Sequence, residues 1–210
     1  MMAAIALVPA LLLALATGAG AQESRREMAS GAPPGAAPGS GGPSFTPTRD
    51  VAVTYRISGA GPGTAEMRVA WTASGLSRLE PPGAPGWILV ERDPPRATMV
   101  VDSERAFMEM PREMAAGMRL EPPDGAALTK GREDRVAGEA CTLWAGPRRT
   151  TVCVTADGVL LRSVSALPGG GENRMEATSV RYGAQDPARF RVPAGYRRKQ
   201  APGPLVPQRR

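Results

Sequence analysis

The sequence contains no histidine, few aromatic side chains and only two cysteines, and these shortages argue against several classes of protein. Without histidine, the chain lacks the commonest general base and the commonest zinc ligand. It also lacks the Gly-x-Ser-x-Gly motif of serine hydrolases and a glycine-rich phosphate loop ending in Lys-Ser or Lys-Thr. The acidic residues between Glu91 and Glu109 lie among basic neighbours and turns, as on a solvated surface. We therefore predict a protein that is not an enzyme and has no cofactor and no metal site.

Long apolar runs are also scarce. The run between Ala3 and Ala16 is too short to span a bilayer, and Ala19-Gly20-Ala21 follows it with the pattern of a signal-peptidase site. We predict that residues 1–21 are a cleaved signal peptide and that the mature chain begins near Gln22, in the periplasm or outside the cell. No cysteine lies near this point, which argues against a lipid-anchored lipoprotein.

Composition divides the remaining chain into three parts. Residues 22–44 are rich in glycine, proline and alanine and are predicted to be a disordered linker, and residues 197–210 are predicted to be a disordered basic tail. Between them, residues 45–196 have the size of one domain. This domain contains 19 basic and 18 acidic side chains, whereas the tail contains five basic and no acidic ones. The predicted domain is therefore nearly neutral, which argues against nucleic-acid binding, and the tail is the part suited to peripheral contact with an anionic membrane.

Apolar and polar residues alternate through much of the domain, which is the pattern of half-buried β-strands. The clearest examples are 51–57 and 67–71, and further strands are predicted at 76–79, 87–90, 97–101, 105–110, 159–166 and 174–182. Pro111 suits the start of a short helix that would place Met110, Met114 and Met118 on one face. These elements predict a mainly β (α+β) domain, with a curved antiparallel sheet or open half-barrel wrapped on a short helix.

The two cysteines flank a predicted hairpin turn at Gly146-Pro147-Arg148. A turn there pairs Leu143 with Thr151 and places Cys141 directly opposite Cys153. Directly opposed residues of an antiparallel ladder lie about 4.5–5.5 Å apart at Cα, which a disulfide tolerates. We predict that a Cys141–Cys153 disulfide staples the hairpin in an oxidising compartment.

Several separate blocks of the domain resemble a family of secreted bacterial proteins that share an uncharacterised domain. The blocks are Thr48–Tyr55, Ser77–Glu80, Gly86–Arg92, Met99–Asp102, Phe107–Pro111, Val136–Trp144, Val152–Val159, Glu176–Tyr182 and Phe190–Tyr196. That family is similar in layout to the LolA/LolB-like superfamily of periplasmic lipoprotein carriers. The resemblance implies a LolA-like sheet wrapped around helices, with a hollow that holds acyl chains.

A ligand-binding function is the first hypothesis that follows. The protein would bind an apolar ligand, such as a lipid or a lipidated protein, between the sheet and the helix. The residues predicted to line this apolar groove are Val53, Tyr55, Met67, Val69, Trp71, Met110, Met114 and Met118. One alternative is a periplasmic structural or protein-interaction module with a fully packed core and no ligand. Another is Cu(I) binding by the five methionines between Met99 and Met118, whose thioethers are soft ligands.

Overall fold

A computed structural model of the protein describes residues 42–59, 61, 63–118, 120 and 128–200. The predicted signal peptide, residues 22–41 of the predicted linker and residues 201–210 of the tail lie outside the described residues. In the described part of the chain, no helix combines the length and apolarity needed to cross a membrane. The same residues contain no group of three or more cysteine and acidic side chains arranged to hold a metal ion.

The described residues form twelve strands, one short α-helix and three single 3₁₀ turns. The helix α1 spans Arg112–Gly117, and the 3₁₀ turns span Asp102–Glu104, Pro147–Arg149 and Pro187–Phe190. The strands are β1 Val51–Ser58, β2 Thr64–Trp71, β3 Leu76–Glu80, β4 Trp87–Glu91, β5 Arg96–Val101, β6 Ala106–Glu109, β7 Thr129–Val136, β8 Glu139–Ala145, β9 Thr151–Val154, β10 Leu160–Ala166, β11 Glu172–Tyr182 and β12 Arg197–Arg198.

All twelve strands belong to one sheet, in the order β12-β6-β5-β4-β3-β2-β1-β11-β10-β9-β8-β7. Eleven of these strands form two antiparallel meanders, β1–β6 and β7–β11, which join where β1 pairs with β11, and β12 pairs in parallel with β6. Strands β6 and β7 lie towards opposite ends of the sheet, and α1 follows β6 in the chain. The mainly β, antiparallel fold predicted from the sequence is confirmed.

The inner face of the sheet is the face that carries Val51, Val53 and Tyr55, and it holds the main core. These three residues belong to one cluster of buried side chains that come from β1 to β5, from β7 to β11 and from Ala115 of α1. Ala115 is 1% exposed. Because one cluster unites residues from both meanders with a helix residue, the sheet curves around the connection that contains α1.

The outer face is apolar over part of the first meander. Ala70, Trp87, Leu89 and Val100 form a second buried cluster there, together with Phe190 from the 3₁₀ turn before β12. Strand β4 is consequently buried on both faces from Trp87 to Val90. Its continuous apolar sequence reflects this double burial.

The disulfide between Cys141 and Cys153 is present, with 5.5 Å between the two Cα atoms. The predicted register of the hairpin is wrong, however, because Cys153 lies opposite Leu143 instead of Cys141. The loop is longer than the predicted turn: Gly146 donates a backbone hydrogen bond to the Thr150 carbonyl across it, at 2.8 Å. The added loop residues shift the ladder by two positions, and the disulfide joins diagonal neighbours.

Three further differences concern polar or short elements. Strand β7 is absent from the sequence prediction because it lacks apolar alternation and buries only Val136. Strand β12 extends the ordered chain beyond Tyr196, where the Arg197 amide donates to the Arg105 carbonyl at 2.9 Å. The helix is only six residues long, so Met110 and Met118 lie outside it and do not form a helical face with Met114.

Candidate functional site

A pocket lies on the inner face, between the sheet and the chain segments that cover it. Residues of β2, β3 and β4 and of the adjoining turns form one wall. The opposite walls come from the N-terminal strap, defined here as Phe45, Thr46 and Pro47, from Met118 and Leu120 after α1, and from Leu160 of β10. The complete lining is Phe45, Thr46, Pro47, Val69, Trp71, Thr72, Gly75, Ser77, Leu79, Val90, Arg92, Met118, Leu120 and Leu160.

The strap is held in place by polar contacts at both ends. The Arg92 guanidinium donates to the Phe45 carbonyl at 3.4 Å, and the Thr48 amide donates to the Asp157 carbonyl at 3.0 Å. Gly158 lies so close beneath the strap that a Cβ at this position would collide with the Thr46 carbonyl. Its φ of +92° is also a conformation that favours glycine. The turn after β9 is therefore shaped to receive the strap.

The Asp157 carboxylate makes an ion pair and two hydrogen bonds next to the strap. Its carboxylate lies 3.0 Å from the Arg49 guanidinium and accepts hydrogen bonds from the hydroxyls of Thr155, at 2.6 Å, and Tyr182, at 3.2 Å. Partial burial alone would raise the pKa of Asp157, but the hydrogen bonds from Thr155, Arg49 and Tyr182 outweigh it and lower the pKa. The chain that follows the strap is consequently tied, through Arg49, to a carboxylate that stays ionised at neutral pH.

The pocket is small, with a volume of about 40 Å³. Sites for drug-sized ligands have volumes of roughly 300–1,000 Å³. The Phe45 side chain and the chain after α1 occupy space that a larger ligand would need. An acyl chain would therefore enter only if the strap or the segment around Met118 moved.

The structure brings seven of the eight predicted lining residues into one apolar cluster. Val69, Trp71 and Met118 line the pocket itself. Val53, Tyr55, Met67 and Met110 pack in the same cluster away from this pocket. Met114 differs from the other seven because it is 51% exposed, and α1 buries the neighbouring Ala115 instead.

Tyr55 belongs to the rigid part of the cluster. It is fully buried, and its hydroxyl donates to the Leu160 carbonyl at 2.6 Å. Burial raises the pKa of Tyr55 above its ordinary value, so the phenol stays protonated and keeps its donor. This hydrogen bond joins β1 to the start of β10 next to the pocket.

Sequence reasoning missed several lining residues. Leu79 could have been identified once β3 was paired with β2, because it lies opposite Val69, whereas Val90 belongs to a strand that is apolar without a break and shows no alternation. Phe45 offered a weaker signal, as a single aromatic residue at the end of a glycine- and proline-rich stretch. Leu160 reaches the pocket through the order of the strands, and no local pattern marks it.

Comparisons with known proteins add structural neighbours of low similarity. No family model matches the chain, and no curated protein matches its sequence. A solved structure of PNGF-II is 13% identical, with a TM-score of 0.44, over 74% of this chain and 31% of that one, so the chain spans about a third of its length. A LolA superfamily protein from Nitrosomonas europaea is 13% identical, with a TM-score of 0.38, over 70% of this chain and 92% of that one. The second neighbour belongs to the superfamily that the sequence resembles in layout, but neither likeness is close enough to bear on function.

Proposed function

We propose that this protein binds an apolar ligand, or the lipid group of a lipidated partner, on the inner face of its sheet and catalyses no reaction. The proposal rests on which parts of the chain form the walls of the pocket. One wall is the sheet, whereas Phe45, Met118 and Leu120 come from segments outside any strand or helix. Such segments can separate from the sheet without breaking its ladder of hydrogen bonds.

The cover on the helix side is weakly attached. Helix α1 has six residues, and among its described side chains only Ala115 is buried. A helix this short is marginal in water without tertiary packing, and a segment with few buried contacts opens at low free-energy cost. Opening at Met118 would enlarge the pocket along the inner face towards Trp71.

We assign this activity to the periplasm or the extracellular space. The disulfide supports an oxidising compartment, because protein disulfides persist there and are rare in the cytosol. The signal peptide that would direct export lies outside the described residues. The basic tail, predicted to touch anionic membranes, lies mostly outside them as well.

A packed interaction module without a ligand is the second candidate, and the pocket volume of about 40 Å³ favours it. The two candidates differ in what the native protein takes up. A hollow that opens binds an apolar probe at saturable sites, whereas a packed core excludes the probe.

A titration with N-phenyl-1-naphthylamine separates the two candidates, because this fluorophore is uncharged and cationic side chains do not attract it. We expect saturable binding to the wild-type protein. Binding to Phe45→Ala should be at least about threefold tighter, because this substitution removes an aromatic side chain from the wall of the pocket. Phe107→Ala is the matched control, since Phe107 is also partly buried but packs on the outer face. It should bind the probe like the wild type.

Native mass spectrometry of the protein purified from a periplasmic extract would then identify cargo. Extra mass that organic solvent removes, with acyl chains in the extract, would support the carrier function. A bare mass together with no probe binding by the wild type or by Phe45→Ala would contradict it and favour the packed module.

A further inference from the structure

A second concave site lies on the outer face of the sheet, opposite the apolar pocket. It is a groove of about 270 Å³ that crosses β3, β2, β1 and β11. Four arginines line it, together with one glutamate and the hydroxyl-bearing residues Thr54 and Ser179. The arginines are Arg68, Arg78, Arg181 and Arg189. The proposed apolar function uses none of these side chains.

The register of the sheet explains why this groove is open. Ala70 pairs with Arg78 on one side and with Ala52 on the other, and Ala52 pairs with Arg181. One row across four strands therefore reads Arg78, Ala70, Ala52, Arg181. The short alanine side chains leave space above the middle of the row. The two arginines stand at its ends, on strands about 14 Å apart.

The floor of the groove is the sheet itself. Val53 and Val69 also line it, although their side chains belong to the inner core. They contribute backbone atoms, because successive side chains of a strand point to opposite faces. A ligand can thus lie against the strands between Arg78 and Arg181.

Arg78 is held in a fixed orientation at one end of the groove. Its guanidinium lies 3.8 Å above the Trp87 ring, 2.9 Å from a Glu80 carboxylate oxygen and 3.3 Å from the Arg189 carbonyl. The same Glu80 oxygen lies 3.7 Å from the Arg189 guanidinium. One carboxylate therefore holds two guanidinium groups beside each other, which reduces the entropy that a ligand would have to remove.

The charges in and around the groove do not balance. Glu80 lies between Arg78 and Arg189, and Glu66 at the edge pairs with Arg68 at 2.7 Å. Arg181 is exposed and has no ion pair among the described residues. Four guanidinium groups thus face two carboxylates, which leaves two positive charges.

We propose that this groove binds a ligand with a phosphate monoester group. Such a group carries a charge of about −1.5 to −2 at pH 7, which matches the excess of the groove. Arginine forks bind phosphate oxygens through paired hydrogen bonds, and the hydroxyls of Thr54 and Ser179 are placed to donate further ones. The volume of about 270 Å³ suits the phosphate end of a small molecule or of a lipid head group.

Binding to the purified, disulfide-intact full chain tests the proposal with two probes. Isothermal titration calorimetry measures the binding of inorganic phosphate. Co-sedimentation measures the binding of phosphatidylcholine vesicles that contain or lack phosphatidic acid. We expect Arg181→Gln to weaken binding about tenfold, because it removes a charge-assisted paired contact. Arg132→Gln is the control, since Arg132 is an exposed arginine of β7 at the far edge of the sheet. It should stay within about twofold of the wild type.

The outcomes distinguish the sources of the phosphate group. Saturable binding of inorganic phosphate that depends on Arg181 indicates a soluble phosphate ester. Binding confined to phosphatidic acid vesicles, again dependent on Arg181, indicates a lipid head group. The basic side chains after Tyr196 attract anionic vesicles in every variant, so the difference between variants is the decisive quantity. An equal loss in Arg181→Gln and Arg132→Gln, or no saturable binding of either probe, would overturn the proposal.

Discussion

In the meander from β1 to β6, apolar side chains cover both faces of the sheet around β4, whereas the meander from β7 to β11 has charged side chains on its outer face. Trp87 and Leu89 pack under Phe190 on the first meander. On the second, Arg162 bridges Asp134 at 2.8 Å and Glu176 on the neighbouring strand, and the disulfide joins β8 to β9. The comparison shows two combinations of forces: apolar packing on both faces around β4, and in the second meander a buried cluster of Val152, Val154 and Leu160 together with a disulfide and ion pairs.

The strongest test of this contrast is Trp87→Ala in the first meander. Trp87 is 4% exposed, donates its indole N–H to Asp102 at 3.2 Å and supports the Arg78 guanidinium. Truncating a buried tryptophan costs about 3–5 kcal/mol, and we expect this loss in the free energy of unfolding measured with urea. The control, Arg132→Ala on β7, should change it by less than about 0.5 kcal/mol. Equal losses would show that the two meanders depend on the same kind of packing.

Removing the disulfide tests the second meander. We expect the double variant Cys141→Ala, Cys153→Ala to lose about 3 kcal/mol, because the bond limits the conformations of the unfolded chain. Hydrogen exchange would locate the effect: amides of β7, β8 and β9 should exchange faster under native conditions, while those of β2 to β5 keep their protection. Uniformly faster exchange across both meanders would contradict a separate role for the bond.

The same contrast explains what the sequence could predict. Strand β1 was predicted within one residue because Val51, Val53 and Tyr55 alternate with less buried residues. Strand β7 has no such alternation, since it forms an edge and buries only Val136, and its conformation depends on pairing with β8. The disulfide was predicted correctly from the two cysteines, but the register of the hairpin was predicted wrongly, because the length of the loop is set by the backbone of residues 146–150.

The candidate site was also predictable only where the pattern of a single strand determined it. Alternation placed Val69 and Trp71 on the inner face, because that face is a property of one strand. It could not show that Phe45 and Leu160 would close the pocket, since these residues are far apart in the chain and meet only through the sheet order. Met114 was misplaced on a buried face because helical spacing was extended over a segment in which only six residues are helical.

The smallest expected effect is a dependence on pH that arises in the second meander. Partial burial tends to raise the pKa of Glu176, but hydrogen bonds from Arg162 and Arg174 outweigh it and lower the pKa below the ordinary value of 4.5. The hydrogen bond from Arg162 similarly lowers the pKa of Asp134. Because the unfolded chain binds these protons more readily, the ion pairs contribute fully above about pH 4.5 and lose their contribution as the pH falls through the lowered pKa values.

Replacing Arg162 by methionine should therefore flatten the acid side of the stability profile. We expect the free energy of unfolding to fall less between about pH 5 and pH 3 in Arg162→Met than in the wild type, and the difference to be small because solvent screens these partly exposed groups. Arg68→Met provides the comparison, since it removes an ion pair with Glu66 whose two side chains are 64% and 57% exposed. In urea titrations at several pH values, the free energy of unfolding of Arg68→Met should depend on pH as that of the wild type does. If the stability of Arg162→Met fell with acid as steeply as that of the wild type, the ion pairs of Arg162 would be solvated like the exposed pair of Arg68 and Glu66, despite the lower exposure of the Arg162 side chain.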